Sequence, residues 1–165
     1  EPSGHAVEVR LYAEDPAAGY RPQSGRLRRF EIDGVRSRFE GPDVAGIRLD
    51  SGVGAGDEIG TFYDAMIAKV VAHGANRDEA LDRLSAALGE TIVAGPRSNA
   101  AFLRSLADAP GFRAGAFDTG FIDRYKDALL DWPEVWAAAG TPDTVFVLPS
   151  QVLPGLTGGT VLRVG

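Results

Sequence analysis

Apolar and polar residues alternate in the first half of the chain, and apolar residues recur at helical spacing in the second half. This order of patterns constrains the fold more than any other feature of the sequence. Val7, Val9 and Leu11 alternate with polar neighbours, which is the period of a strand with one buried face. Similar runs lie at 27–32, 35–40 and 47–50. Strands followed by helices predict an α+β fold, in which helices pack on an antiparallel sheet, rather than a doubly wound parallel sheet.

Two further features complete the predicted sheet. Asp33-Gly34 separates the runs at 27–32 and 35–40, and it predicts a β-hairpin because Asp and Gly tolerate positive φ. The compact apolar run from Met66 to Ala72 predicts a buried strand, although its periodicity alone would also permit a helix.

Three helices are predicted after residue 75. Asn76 is a suitable N-cap for a helix over 77–88, and we expect Ser98 to cap a second helix. A third helix is predicted over 119–130. The residues expected to face inward are Ala80, Leu81, Leu84, Ala87 and Leu88 in the first helix, Phe102, Leu103 and Leu106 in the second, and Phe121, Ile122, Tyr125 and Leu129 in the third.

The residue pattern of the sequence changes near residue 131, where helical spacing gives way to short β-like runs separated by Pro and Gly. A chain of 165 residues suits one ordinary domain, or one domain with an appendage. We expect a first domain over 1–131, followed over 132–165 by a linker or the start of another domain. Residues 133–139 predict one or two helical turns. Short strands are predicted at 145–148, 152–153 and 161–164. The chain has the character of a piece of a longer protein.

Composition excludes several classes of function. Seventeen basic and 23 acidic residues give a net charge of -6, which removes a general electrostatic reason to bind nucleic acid or an anionic membrane. Cysteine is absent, so disulfides and thiolate chemistry are excluded. No apolar run approaches the roughly 18 residues that span a bilayer. No signal-peptide pattern is present, and we expect a cytoplasmic protein.

The residues alone give weak candidates for chemistry. His5 and Glu8 are three apart on a predicted strand and therefore lie on opposite faces, so we expect no metal site there. His73, at the end of an apolar run, is more typical of a strand boundary than of an acid or base. The glycines at 52, 54 and 56 fit neither a phosphate-binding loop nor a dinucleotide fingerprint.

Arg48 is a stronger candidate. Strand alternation places Ile47 and Leu49 on one face, and Arg48 with Asp50 on the other. If the apolar pair faces the core, the guanidinium projects from a rigid strand and could stabilise a developing oxyanion. Spacing alone favours the plainer alternative, a surface arginine paired with Asp50 or another carboxylate.

Many short segments together resemble one family. They lie, in order, at 4–10 (GHAVEVR), 13–16 (AEDP), 24–27 (SGRL), 46–53 (GIRLDSGV), 56–59 (GDEI), 63–69 (YDAMIAK), 74–80 and 118–122 (DTGFI). This series resembles the C-terminal domain of biotin carboxylases, over roughly residues 4 to 126. The Gly-Asp-Glu segment and the end of the match are most similar to the biotin-dependent acyl-CoA carboxylases, in particular the biotin-containing α subunit of the 3-methylcrotonyl-CoA type.

The resemblance implies an activity for the parent chain. An ATP-grasp enzyme of this family activates bicarbonate with ATP and Mg²⁺ or Mn²⁺, and carboxylates a ureido nitrogen of biotin on a carrier domain. The resemblance assigns Arg48 to the ureido oxygen, where it stabilises the biotin enolate, and it assigns Thr119 and Gly120 to the adenine side of the ATP site. From spacing alone, Thr119 could equally be a helix N-cap. Lys69 is expected in a structural ion pair.

The resemblance also implies partners. They are the rest of the biotin carboxylase region, the biotin carrier domain, a second copy of the enzyme and a carboxyltransferase β subunit. The phosphate-binding loop, the metal-binding carboxylates and the biotinylated lysine belong to parts outside this sequence, so we expect the isolated chain to be inactive. Ala65 and Phe62 depart from the usual family residues.

Two alternatives stay open. The domain could be a dimerisation scaffold without a catalytic part, with a surface formed by the strand from Met66 together with His73 and Arg77. It could also come from a urea, pyruvate or propionyl-CoA carboxylase, because these enzymes share the biotin carboxylation step.

Overall fold

The computed structural model describes residues 3–40 and 45–131, and the backbone of two strands at 134–138 and 145–149. The strands are β1 (His5–Tyr12), β2 (Glu14–Asp15), β3 (Arg21–Pro22), β4 (Gly25–Arg26), β5 (Arg29–Glu31), β6 (Val35–Ser37), β7 (Gly46–Ser51), β8 (Glu58–Ile59), β9 (Met66–Gly74), β10 (Ile92–Ala94), β11 (Glu134–Ala138) and β12 (Val145–Pro149). The helices are α1 (Arg77–Gly89), α2 (Ala100–Asp108), α3 (Pro110–Arg113) and α4 (Phe121–Leu129), with a 3₁₀ turn at Pro16–Ala18.

A four-stranded sheet of order β1-β9-β7-β6 forms the centre of the domain. β9 pairs antiparallel with both β1 and β7, whereas β6 runs parallel to β7. The run at 66–72 is therefore a central strand, as its β-branched composition favoured. The predicted α+β class with a largely antiparallel sheet is confirmed.

The hydrophobic core lies between this sheet and the helices. In register, Val7 of β1, Ala72 of β9 and Ile47 of β7 are neighbours across the three strands, and all three are buried. α1 packs on the same side of the sheet, and its predicted inward residues are all buried. The core of the domain is therefore built on one face of the central sheet.

The join between β9 and α1 depends on a glycine. A Cβ atom on Gly74 would lie 2.7 Å from the backbone nitrogen of Ala80. This close approach lets α1 begin immediately after the strand. Asn76 caps the helix as predicted, since its side chain accepts the N–H of Glu79 at 3.0 Å.

The predicted hairpin at Asp33-Gly34 is wrong. A turn is present and Gly34 has φ +71, but its two flanking strands do not pair with each other. β5 pairs antiparallel with β10, and β6 pairs parallel with β7. The turn chemistry was interpreted correctly, but distant strands outcompete the local partner.

The predicted cap of the second helix is also wrong. Asn99, not Ser98, occupies the position before α2, and its side chain makes no cap hydrogen bond. Instead Asn99 is buried; it accepts the N–H of Tyr12 at 2.9 Å and donates to the carbonyl of Arg10 and the carboxylate of Glu14. The residue therefore ties α2 to the end of β1.

The third helix is shorter than predicted. It begins at Phe121 rather than Thr119, because the Asp118 carboxylate accepts the N–H of Gly120 in a preceding turn. Phe121 and Leu129 are buried, but Tyr125 is half exposed and lies against the Phe121 ring. The prediction that Tyr125 faces inward is therefore wrong.

The tail differs from its helical prediction. The segment 134–138 is a strand that pairs antiparallel with 145–149, and Val and Trp within it favour strands over helices. The predicted strand at 145–148 is confirmed. The predicted strands at 152–153 and 161–164 lie outside the described residues, and the boundary at 131 stays a prediction. No described helix combines the length and apolarity needed to cross a bilayer.

Truncation of Leu81 should destabilise the domain strongly. Leu81 is fully buried between α1 and the sheet, so Leu81→Ala should lower the free energy of unfolding by about 2–5 kcal/mol through lost apolar burial and a residual cavity. Urea denaturation measures this loss. Leu106→Ala, at a partly exposed site on α2, is the matched control and should cost less; equal losses at both sites would contradict the described core.

Removal of the Asn99 side chain should leave buried partners unsatisfied. Asn99→Ala should lower the free energy of unfolding by about 1–3 kcal/mol, measured by denaturant titration. Ser98→Ala should stay within about 0.5 kcal/mol of the wild type, as expected of a site without a defined structural role. A larger loss for Ser98→Ala than for Asn99→Ala would restore Ser98 as the cap.

Candidate functional site

Arg48 lies in the middle of β7 on the face of the sheet opposite the core. Its neighbours Ile47 and Leu49 are 4% and 2% exposed, whereas the Arg48 side chain is 29% exposed. Because side chains alternate along a strand, burial of the two apolar residues directs Arg48 outward. The predicted orientation of this residue is confirmed.

Asp50, two residues further along β7, holds the guanidinium of Arg48 in a fork. Nε donates to Oδ1 at 2.9 Å, and Nη2 donates to Oδ2 at 2.6 Å. No hydrogen bond from Nη1 is found within the described part of the chain. Outward presentation and pairing with Asp50, which the sequence posed as alternatives, thus occur together: the pair occupies the edge of the guanidinium formed by Nε and Nη2, and the side chain stays 29% exposed.

Asp50 is itself held in place. Its side chain is only 6% exposed, and Oδ1 accepts the backbone N–H of Phe39 at 2.7 Å. Lys69 lies directly opposite Asp50 on β9, with Nζ 3.9 Å from Oδ2. The same Nζ lies 3.9 Å from Oε2 of Glu8 on β1. Two positive and two negative side chains therefore alternate across three strands, and Lys69 occupies the structural ion pair that was expected.

The charges of the pair reinforce each other. Hydrogen bonds from Arg48 chiefly lower the pKa of Asp50, helped by the N–H of Phe39 and the charge of Lys69, while burial opposes them. In turn, the hydrogen bond to Asp50 raises the pKa of Arg48. Both groups are therefore ionised throughout the neutral range.

Thr119 and Gly120 lie in a different part of the domain. They form the turn before α4, a helix that packs on α2 in the helical layer. Thr119 is exposed, and the Asp118 carboxylate that accepts the N–H of Gly120 also accepts a hydrogen bond from Arg124 at 2.8 Å. None of the contacts described between residues 3 and 131 joins this turn to Arg48.

The residues of the predicted dimer surface are used within the chain. One face of β9 is core, which matches the plainer alternative for 66–72. Arg77 donates to the carbonyls of Phe112 and Arg113 and lies 5.1 Å from the centre of the Phe112 ring. Nε2 of His73 lies 3.3 Å from the carbonyl oxygen of Ser3. A role of this surface in dimerisation stays a prediction.

His5 contacts Arg77, with 3.4 Å between Nε2 and Nη1. Within the described residues, no group of three or more His, Cys, Asp or Glu side chains is arranged to hold a metal ion.

Two supports of the site were missed by sequence reasoning. The N–H of Phe39 is a backbone donor, which no side-chain pattern reveals, and it reaches Asp50 only because β6 pairs with β7. The contact of Lys69 with Asp50 depends on the register of β9 against β7. The positions were visible in the sequence, but their pairing requires the sheet.

Comparison with known proteins identifies the family of the domain. The family described as "Biotin carboxylase C-terminal domain" matches residues 8–124. The chain belongs to this family. Arg48, Asp50 and Lys69 all lie within the matched segment, so the charged face of the sheet is part of a biotin carboxylase C-terminal domain.

Individual relatives support the same conclusion. The α subunit of mitochondrial methylcrotonoyl-CoA carboxylase from Glycine max is 39% identical over 128 residues, covering 78% of this chain and 16% of that protein. One of the pyruvate carboxylase subunits of Methanothermobacter thermautotrophicus is 39% identical over 126 residues, 76% of this chain and 24% of that protein. The chain therefore spans a quarter or less of the length of these relatives.

A solved structure confirms the fold. The complete multifunctional pyruvate carboxylase from Rhizobium etli superposes with a TM-score of 0.69 at 32% identity, covering 81% of this chain and 12% of that one. The α+β architecture of a biotin carboxylase C-terminal domain is thus shown by both sequence and structure.

The Arg48–Asp50 pair should give the domain an acid-sensitive stability. Because the folded pKa of Asp50 lies below its ordinary value, the pair contributes fully above the unfolded pKa of about 3.9, and this contribution is lost as the pH falls through the folded pKa. The difference in unfolding free energy between the wild type and Asp50→Asn should be constant from about pH 5 to 7 and shrink below about pH 4. Denaturant titrations across this range measure it, and a difference that already shrinks above pH 5 would contradict the lowered pKa.

Proposed function

We propose that this chain is the C-terminal part of the biotin carboxylase component of a biotin-dependent acyl-CoA carboxylase, within its biotin-containing α subunit. In the full chain, this component would carry out the ATP- and bicarbonate-dependent carboxylation of protein-linked biotin. The proposal rests on the outward presentation of Arg48 from the central sheet, with Nε and Nη2 bound to Asp50 and no hydrogen bond from Nη1 among the described residues. Family membership and the similarity to the methylcrotonoyl-CoA carboxylase relative support it.

The residues present fit a biotin ureido group. The ureido oxygen is a hydrogen-bond acceptor that gains negative charge when the neighbouring nitrogen becomes a nucleophile. Arg48 offers an N–H edge of permanent positive charge on a rigid strand, and Nη1 donates no competing hydrogen bond to any of the described residues. A donor of this kind matches the acceptor in both charge and geometry.

When bound, biotin supplies the ureido nitrogen that receives the carboxyl group. Arg48 would donate to the ureido oxygen through Nη1 and lower the energy of the charge that develops there, a stabilisation that grows toward the transition state. Asp50 keeps the other edge of the guanidinium occupied. The positive charge is thus in place before the reaction and needs no rearrangement.

Nucleotide and metal would be held mainly by upstream ATP-grasp domains of the full chain. Of this chain, we propose that the exposed turn at Thr119 and Gly120 borders the adenine side of the ATP site. Mg²⁺ or Mn²⁺ requires clustered oxygen ligands, and the described residues provide no such group. The isolated chain is therefore proposed to be inactive. Separately, the full enzyme is proposed to act in the cytoplasm.

The proposed partners follow from the same assignment. They are the remaining biotin carboxylase domains, the biotin carrier domain, a second copy of the enzyme and a carboxyltransferase β subunit. The proposed acceptor class is an acyl-CoA, supported by the methylcrotonoyl-CoA carboxylase relative. Pyruvate and urea carboxylases are the alternatives, supported by the pyruvate carboxylase relative at 39% identity and a urea carboxylase structure from Kluyveromyces lactis at 35% identity.

Replacement of Arg48 by lysine should abolish most of the activity of the full-length α subunit. Lysine keeps the positive charge, but it cannot form the two parallel hydrogen bonds to Asp50 and has no second N–H group oriented like Nη1. We expect a fall in kcat of about 100-fold or more, the usual size for the loss of an oxyanion donor. Bicarbonate-dependent ATP hydrolysis with added free biotin measures it.

Arg29→Lys is the matched control for this variant. Arg29 forms the same two-residue fork on a strand, with Glu31, but its side chain is 49% exposed and lies on β5. Its replacement should leave kcat within about 2-fold of the wild type, since surface pairs contribute little. Residual turnover above about 10% in Arg48→Lys would refute the role of Arg48 on the scale of an oxyanion donor.

A further inference from the structure

The fork between Arg48 and Asp50 fixes the direction of the guanidinium. A guanidinium is planar, so two bonds from Nε and Nη2 to one carboxylate define both its plane and its rotation. The remaining edge then points in one direction only. A free arginine side chain at 29% exposure would instead sample several rotamers.

The carboxylate that aims Arg48 is itself immobilised from three sides. Asp50 stands on the same strand as Arg48, accepts the N–H of Phe39 from the segment after β6, and faces Lys69 on β9. Glu8 on β1 lies on the far side of Lys69 and keeps its ammonium group between two carboxylates. Burial of Asp50 to 6% exposure limits competition from water.

The pair formed by Arg29 and Glu31 shows what this support adds. It has the same spacing and equally short bonds, 2.8 Å for both contacts. However, Glu31 is 57% exposed and, among the described residues, forms no further hydrogen bond or ion pair. The fork between Arg29 and Glu31 forms without an anchored carboxylate, so the fork itself does not require the contacts that hold Asp50.

We propose that Asp50 is a positioning residue for the carboxylation step, which holds Arg48 so that only its Nη1 edge meets the reacting oxygen. This inference rests on the proposed function of Arg48. Asp50 touches neither biotin nor the carboxyl group; it acts through the guanidinium alone. The benefit of this fixed donor grows as negative charge develops on the oxygen, because the donor is already aimed and needs no reorganisation.

The test is the kinetics of Asp50→Asn in the full-length α subunit, with free biotin varied and bicarbonate-dependent ATP hydrolysis followed. Asparagine is similar in size but cannot accept the charged fork at both oxygens. We expect kcat to fall about 10- to 100-fold, the cost of a misplaced catalytic group. KM for biotin should stay within about 2-fold, because the orientation of the guanidinium affects the transition state more than ground-state binding. Glu31→Gln is the matched control and should leave both constants unchanged.

A double-mutant cycle separates positioning from a general structural effect. If Asp50 acts through Arg48, Asp50→Asn should lower kcat of the Arg48→Lys enzyme by less than about 2-fold, since the fork is already lost. A full additional loss in that background would overturn the proposal, as would wild-type kcat in Asp50→Asn.

If Asp50→Asn folds poorly, a more conservative variant still tests the proposal. Asp50→Glu keeps the carboxylate but extends it by one methylene, and kcat should fall by an intermediate factor of about 5-fold, with KM retained. Unchanged kcat in this variant would overturn the proposal. The two proposals fail in different ways. An active Arg48→Lys enzyme would refute the proposed function of Arg48. An inactive Arg48→Lys enzyme together with a fully active Asp50→Asn enzyme would refute only the positioning role of Asp50.

Discussion

Side chains alternate along β7, and this alternation ties the core of the domain to its charged face. One face of this strand contributes Ile47 and Leu49 to the core, and the other presents Arg48 and Asp50. The hydrophobic burial that stabilises the sheet thereby fixes the direction of the charged pair, because a shift of one residue in register would turn both faces over. Stability and site geometry are set by the same strand.

The neighbouring strands turn this orientation into a rigid site. β9 lies between β1 and β7, so Lys69 stands beside Asp50 and Glu8 at once. β6 brings the N–H of Phe39 to the same carboxylate. Because each of these charged side chains has an oppositely charged partner, the free-energy cost of removing it from water is partly offset.

Local patterns predicted the parts of the fold that local chemistry decides. Alternation gave the outward face of Arg48, and the Asn76 signature gave the start of α1, because neither depends on distant residues. The pairing of β5 with β10 could not be read this way, since the turn at Asp33-Gly34 specifies a reversal but not a partner. The burial of Asn99 and its bonds to β1 likewise arise from contacts almost 90 residues apart in sequence.

The candidate site likewise divides into a part that local patterns predict and a part that requires the folded structure. Arg48 was identified through resemblance and strand period, and its partner Asp50 was a candidate from spacing. The anchoring of Asp50 needed the three-dimensional register of three strands. Family membership then adds what neither pattern nor packing supplies, namely the biotin carboxylase family to which the domain belongs and in which we propose a role for Arg48.

The most direct test of this account is a crystal structure of the full-length α subunit with ADP, bicarbonate and biotin bound. The account predicts that Nη1 of Arg48 lies within about 3 Å of the biotin ureido oxygen, the length of a hydrogen bond, while Nε and Nη2 stay on Asp50. A structure in which biotin binds with its ureido oxygen away from Arg48, or in which Arg48 leaves Asp50 to reach it, would contradict the account.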